Sequence, residues 1–247
     1  MKVVILAGGY GSRLLSNSRS LPKPMNKVGN IPIILHIMNI YYKHGFNEFI
    51  IALGYKSNII KKYFENYRLD KKSNLYKIKK NNFKISLIDT GLNTMTGGRL
   101  KRLKKYLKNE RFFLTYGDGL SNVNINKLLK FHMTQKSIGT VTAVHPPARF
   151  GEILIKKNMV ISFKEKVQTK KDWINGGFFV FEPKFLNLIK DDSTVLEDYP
   201  LSHLSKIGQL SSFKHYGFWK CMDTKRDKDE LNELLINKTA AWININE

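Results

Sequence analysis

The first residues constrain this fold more than any others. Lys2–Ala7 is a short apolar run that passes straight into Gly8-Gly9-Tyr10-Gly11-Ser12-Arg13. A run of this kind fits a buried strand, and the glycines behind it allow a tight turn whose backbone N–H groups can face a bound anion. Such a strand needs parallel neighbours and covering helices. The chain supplies both. Helical spacing at Ile33, Ile34, Ile37, Met38, Tyr41 and Tyr42 stops at Gly45, and Phe49–Leu53 then reads as a strand ended by Gly54. A second helical stripe runs through Ile59, Ile60, Tyr63, Phe64 and Tyr67, and the polar, basic stretch from Lys71 to Asn82 reads as a loop. Next come a strand at Ile85–Ile88, a helix over 97–108, and a strand at Phe112–Thr115 leading to Gly117-Asp118-Gly119. Ile125, Leu128, Leu129 and His132 mark a further helix, and Gly139–Val144 a strand. After Pro146-Pro147 the pattern changes to short strands at Ile153–Ile155, Val160–Phe163 and Phe178–Phe181, with helices over Glu197–Lys206 and Asp223–Leu235. The prediction is α/β: a single Rossmann-like domain over 1–247 with a central mixed, mostly parallel sheet covered by helices. Residues 1–145 form its first half, and 146–247 add a smaller β/α elaboration.

Composition enters mainly through charge. The 247 residues include 42 Lys+Arg against 20 Asp+Glu, a net charge of +22. Lys61, Lys62, Arg68, Lys71, Lys72, Lys77, Lys79, Lys80 and Lys84 form one cluster; Arg99, Lys101, Arg102, Lys104, Lys105, Lys108 and Arg111 form another. Such a field attracts any polyanion, so a basic nucleic-acid-binding protein is the alternative from another class. No zinc-finger or RNP aromatic motif is present, and Leu100, Leu103 and Leu107 recur at helical spacing. The second cluster therefore reads as the outer side of an amphipathic helix, and no specific nucleic acid is expected. The lone Cys221 rules out an intrachain disulfide and any Cys-cluster metal site. No apolar stretch nears the ~18 residues of a membrane span. The expectation is a cytoplasmic protein.

In an open α/β sheet, ligands bind beyond the carboxyl ends of the strands. Two polar clusters fall there: the 8–13 loop and Gly117-Asp118-Gly119. The loop is neither a dinucleotide fingerprint, because Leu14 stands where the last glycine belongs, nor a P-loop, because no Gly-Lys-Ser/Thr follows. Arg13 ends the loop, and Lys23 sits between Pro22 and Pro24, which restrict the backbone around it. A glycine cradle with two held cations suits a triphosphate. Asp118 suits a hard metal ion beside phosphates, although a turn aspartate has the same appearance. Asp223 precedes a helix and by its position reads as the N-cap. The six histidines form no H-E-x-x-H pair, and no G-x-S-x-G elbow is present.

Leu6-Ala7-Gly8-Gly9-Tyr10-Gly11-Ser12-Arg13-Leu14 with Pro22-Lys23-Pro24-Met25 resembles the signature of the sugar-1-phosphate nucleotidylyltransferases. The resemblance runs nearly end to end. Met95-Thr96-Gly97-Gly98-Arg99 and Gly217-Phe218-Trp219 with Met222-Asp223-Thr224 point more narrowly to the cytidylyl branch. The resemblance implies transfer of a cytidylyl group from CTP to a sugar 1-phosphate, most simply glucose 1-phosphate, with Mg²⁺ as cofactor and a homo-oligomer as the assembly; the alternative within it is the same chemistry on another sugar or polar phosphate, or with UTP. It implies that Leu6, Ala7, Gly8, Gly9, Tyr10, Gly11, Ser12 and Arg13 hold the nucleotide, with Gly8 and Gly9 near the base and Ser12 and Arg13 on the phosphates. Thr90, Met95, Thr96, Arg99 and Gly117 join them on the nucleoside side. Glu165, Lys166, Asn175 and Gly176 would face the sugar phosphate, and Asp118 with Asp223 would bind the metal. Arg13, Lys23 and Lys166 are implied as the catalytic cations. Val167 stands where the family usually has proline, and Ser12 where it usually has threonine.

Overall fold

The computed structural model describes residues 1–10, 21–69, 74–78, 82–146, 151–164 and 172–243. In chain order the strands of the first half are β1 (Lys2–Leu6), β2 (Lys27–Val28), β3 (Ile31–Pro32), β4 (Glu48–Leu53), β5 (Leu75–Ile78), β6 (Phe83–Asp89), β7 (Phe112–Tyr116), β8 (Gly119–Ser121) and β9 (Gly139–Val144). The second half adds β10 (Glu152–Lys156), β11 (Met159–Lys164), β12 (Ile174–Phe181), β13 (Leu210–His215) and β14 (Trp219–Cys221). The α-helices are α1 (Ile33–Tyr42), α2 (Ser57–Phe64), α3 (Thr96–Arg102), α4 (Lys104–Leu107), α5 (Ile125–Gln135), α6 (Tyr199–Lys206) and α7 (Lys225–Ile236).

One eight-stranded sheet, ordered β13-β9-β12-β7-β1-β4-β6-β5, organises these elements. β1 lies between β4 and β7 and is parallel to both. The chain leaves β1 through α1 toward β4 and β6, then returns through α3 and α4 to β7 on the other side. The gap between β1 and β7 is therefore the switch point at which α/β sheets bind ligands. Side chains alternate between the two faces of β1. Val3 and Ile5 join a core with Ile37 of α1, Phe64 of α2, Leu128 of α5 and Leu231 of α7. Val4 and Leu6 join a second core with Leu100 of α3, Leu107 of α4 and Leu204 of α6. With both faces covered, an unalternating apolar strand is the sequence this position requires.

The structure revises three expectations and fills in a fourth. Within the stretch read as a loop, Leu75–Ile78 pairs antiparallel with β6 at the sheet edge, so its Lys77 is compatible with an edge strand. The helix expected over 97–108 breaks at Leu103 into α3 and α4, while Leu100, Leu103 and Leu107 all stay buried. The second half of the single domain is built into the same sheet: β12 inserts antiparallel between β7 and β9, and β13 pairs in parallel with β9. The N-cap of α7 is Thr224 instead of Asp223. Its side chain accepts the Asp227 N–H, and Asp227 reaches back in a capping box.

β10 and β11 form a two-stranded hairpin apart from the main sheet. Ile153, Leu154, Ile155, Met159, Val160, Ile161 and Phe163 are each more than half exposed, so no described element covers either face of the hairpin.

Candidate active site

A cleft of about 850 Å³ opens at the carboxyl ends of β1 and β7, within the usual range for small-molecule sites. Its floor is Leu6–Tyr10 and Tyr116–Gly119; one wall is Leu92–Thr96, the other Asn175–Gly177, and Trp219, Cys221 and Asp223 close one end.

Lys23 is placed by its prolines. Pro22 is extended, Pro24 starts a 3₁₀ turn over Lys23–Met25, and the Met25 N–H donates to Pro22 O at 2.9 Å. Pro24 then packs on Gly117, where a Cβ would lie 2.8 Å from the Pro24 ring and 2.9 Å from Leu6 O. Only glycine lets the turn, β1 and the end of β7 approach so closely. Asp118 follows directly. Asp223 arrives through the β8–β14 ladder, in which Cys221 pairs with Gly119 and the Met222 N–H donates to Asp118 O at 2.9 Å.

The result is one ammonium held by two carboxylates. Lys23 Nζ donates to Asp118 Oδ2 at 2.5 Å and to Asp223 Oδ1. Burial by itself pulls the Lys23 pKa down, but Asp118 and then Asp223 outweigh it and hold the value above that of an ordinary lysine. Asp223 is itself fixed: its N–H donates to Asp227 Oδ2 at 3.1 Å, and Cys221 Sγ donates to its Oδ2 at 3.3 Å. Burial and then Asp223 push the Cys221 thiol up to about 12, so it stays a donor. Two carboxylates converging on one cation are a hard-oxygen donor pair aimed at a common point. That suits Mg²⁺, which keeps water and phosphate oxygens for the rest of its shell. Among the described residues no group of three or more His, Cys, Asp and Glu could hold a metal ion.

Arg99 supports the 92–96 wall from behind. It is 4% exposed. Nη1 donates to Leu53 O (3.1 Å), Thr90 Oγ1 (2.9 Å) and Gly91 O (2.6 Å), and Nη2 to Gly8 O (2.9 Å) and Leu92 O (3.2 Å). A Cβ on Gly8 or on Gly54 would lie 2.3 Å from Nη1, so both glycines make room for the guanidinium. Arg99 is thus buried, unlike most cations of its cluster. Thr90 is fully buried, donates to Leu53 O at 2.6 Å, and does not line the cleft. Tyr10 Oη donates to Asn93 Oδ1 at 3.1 Å, linking the floor to the 92–96 wall.

On the opposite wall, Asn175 Nδ2 donates to Tyr116 Oη at 3.2 Å and Asn175 Oδ1 accepts the Gly177 N–H at 2.8 Å. Gly177 has φ +76°, and the Tyr116 ring occupies the space a Cβ would need. Trp219 Nε1 donates to Gly176 O at 2.7 Å. Of the expected residues, Leu6, Ala7, Gly8, Gly9, Tyr10, Lys23, Met95, Thr96, Arg99, Gly117, Asp118, Asn175, Gly176 and Asp223 line this one cleft. Gly11, Ser12, Arg13, Glu165 and Lys166 lie outside the described residues. Sequence reasoning missed Tyr116 and Cys221, although both stand within two residues of an aspartate already singled out.

The family model described as nucleotidyl transferase matches residues 2–213. Glucose-1-phosphate cytidylyltransferase of Salmonella typhimurium is 43% identical over 98% of this chain and 98% of its own length. Mannose-1-phosphate guanyltransferase of Aspergillus oryzae is 32% identical over 97% of this chain, which spans 65% of that protein. Among solved structures, HddC of Yersinia pseudotuberculosis complexed with GMP-PN superposes with a TM-score of 0.72 at 24% identity, covering 95% of this chain and 99% of that one. That likeness shows a shared fold.

Proposed function

This chain belongs to the nucleotidyl transferase family, and from that premise we propose that it transfers a cytidylyl group from CTP to glucose 1-phosphate, giving CDP-glucose and pyrophosphate. The sugar and the base come from the full-length likeness to glucose-1-phosphate cytidylyltransferase. The geometry that carries the chemistry is Lys23 between Asp118 and Asp223 at the β1/β7 switch point.

A phosphate oxygen of the sugar phosphate attacks the α-phosphorus of CTP in line. The new P–O bond forms as the bond to the β-phosphate oxygen breaks, and pyrophosphate leaves with that electron pair. The attacking oxygen is already anionic, so no general base is needed. The barrier lies in bringing two anions together, which positioned positive charge lowers. Lys23 is the described cation on the phosphate side, and the motif likeness assigns the same work to Arg13 and Lys166. Gly8 and Gly117 let backbone approach the nucleotide closely, Thr96 and Met95 stand on the nucleoside side, and Asn175 and Gly176 on the sugar side. Asp118 and Asp223 would hold Mg²⁺, which when bound adds charge neutralisation at the phosphates. The uncovered apolar hairpin supports a homo-oligomer, and the cytoplasm is the compartment this reading assigns to the reaction. No helix among the described residues is long and apolar enough to cross a membrane.

Pyrophosphate release with CTP or UTP against glucose, galactose and mannose 1-phosphates tests the reading, before and after removal of divalent ions with EDTA. The expected result is fastest release with CTP and glucose 1-phosphate, lost on chelation and restored by Mg²⁺. Faster turnover with UTP, or no release from any pair, overturns it. Light scattering should give a mass that is a multiple of the 28.6 kDa chain; a monomer overturns the assembly.

A further inference from the structure

Glu197 lies outside every motif described above, in a segment the sequence reads as the first turn of a helix that in fact begins at Tyr199. Its carboxylate joins one wall of the cleft to the floor and, through Tyr116, reaches the other wall. Oε1 accepts from the Tyr116 hydroxyl at the end of β7, and Oε2 accepts from Thr96 Oγ1 at 3.0 Å, at the start of α3. Each hydroxyl is tied onward. Tyr116 Oη accepts from Asn175 Nδ2, and Thr96 Oγ1 accepts the Leu196 N–H at 2.8 Å. A directed chain therefore runs from Asn175 through Tyr116 to Glu197, where Thr96 meets it from the other wall. The Gly177 N–H on Asn175 Oδ1 fixes which way the amide faces.

We propose that Glu197 is a positioning residue that sets the separation of the base-side and sugar-side walls, and so couples the CTP site to the sugar-phosphate site. The inference rests on the reaction proposed above. Three features favour this role over a purely structural one. Glu197 is exposed, so little folding energy depends on it. Both of its hydroxyl partners belong to residues that line the cleft. A carboxylate is also the group that can accept from two hydroxyls at once through charge-assisted bonds, which an amide cannot do at both ends. Burial and then Glu197 raise the Tyr116 pKa, so its hydroxyl keeps the proton it donates. The side-chain length matters too: aspartate is one methylene shorter and cannot span both partners.

Steady-state kinetics with each substrate varied in turn, on Glu197→Ala, Glu197→Gln, Glu197→Asp, Tyr116→Phe and the Glu197→Ala/Tyr116→Phe double variant, tests this. Glu197→Ala is expected to raise KM for both CTP and glucose 1-phosphate about tenfold, the size of one lost charge-assisted hydrogen bond, with a smaller change in kcat and in melting temperature. Glu197→Gln should fall between, and Glu197→Asp should resemble Glu197→Ala. Tyr116→Phe should raise KM for glucose 1-phosphate more than for CTP, and the double variant should add little to Glu197→Ala. Unchanged KM values in Glu197→Ala overturn the proposal. So do a lowered melting temperature with no split between KM and kcat, and fully multiplicative effects in the double variant. If the wild-type chain releases no pyrophosphate, the reaction itself fails. Calorimetric CTP binding to wild type and Glu197→Ala then tests the residue alone, and equal affinities overturn its role.

Discussion

Lys23→Ala removes the one charge among the described residues that both site carboxylates contact. The loss divides into two effects that can be measured separately. In catalysis, a preorganised positive group at a developing or transferred charge is worth about 2.7–4 kcal/mol, so turnover should fall by about 100- to 1000-fold. In the resting protein, Asp118 and Asp223 are left facing each other with side chains 25% and 21% exposed. Two like charges ~4 Å apart repel by about 4 kcal/mol at an effective dielectric near 20, and partial solvation reduces this to roughly 1–3 kcal/mol. At about 2–4 °C per kcal/mol for a chain of this size, the melting temperature should drop by roughly 5 °C. Mg²⁺ should restore most of that drop, because it replaces the missing charge between the carboxylates, and should leave turnover low. The assays are pyrophosphate release at saturating CTP and glucose 1-phosphate, and thermal unfolding with and without Mg²⁺. Turnover within about fivefold of wild type refutes the role of Lys23. A melting temperature that falls and ignores Mg²⁺ refutes the shared charge site.

Three further outcomes follow from other parts of the structure. Arg99→Lys offers three donors where five bonds are made, so it should lower stability by at least about 2 kcal/mol in urea unfolding and raise KM for CTP; an unchanged midpoint would show that the guanidinium is not needed. Thr224→Ala loses the N-cap of α7 at a cost of about 1 kcal/mol, or roughly 2–4 °C in melting temperature, and a change below 1 °C would contradict the capping box. Burial holds the pKa of His36, His44, His132 and His215 below 6.5. Such groups take up protons more readily when unfolded, so their stability contribution is complete above pH 6.5 and is lost as pH falls through their folded values. His36 shows why: Nε2 bonds Val28 O at 2.9 Å while Nδ1 accepts from Trp242 Nε1 at 3.2 Å, which requires a neutral ring. Melting temperature should decline between pH 7 and 5, and a flat profile would refute the account.

The parts of this fold that were legible in sequence are those whose cause is local. β1 and its glycine turn follow from an apolar run and the residues after it, and α1 from a 3.6-residue period ended by Gly45 at φ +87°. Strands at the edges were not legible. β5 carries Lys77, and β13 reads Leu-Ser-Ser-Phe-Lys-His, because a strand with one open side has no need of an apolar pattern. Asp223 failed differently. Its local signal, an acidic residue before a helix, is that of a cap, while its actual partner, Lys23, is 200 residues away. The resemblance recovered it because the motif carries tertiary information that propensity lacks. Glu197 had neither a local signal nor a motif, and only the assembled cleft reveals its two hydroxyl partners.

The five bonds of Arg99 have a mechanical meaning. Gly8 comes from the loop behind β1, Leu53 from the end of β4, and Thr90, Gly91 and Leu92 from the exit of β6. A single planar fork thus rivets three crossovers into one slab, and no member can shift without stripping acceptors from the others. The facing side is tied more sparsely, by Asn175 Nδ2 on Tyr116 Oη at 3.2 Å and Trp219 Nε1 on Gly176 O at 2.7 Å, so accommodation of an incoming ligand is expected there. The molecule works like a vice with one stationary jaw.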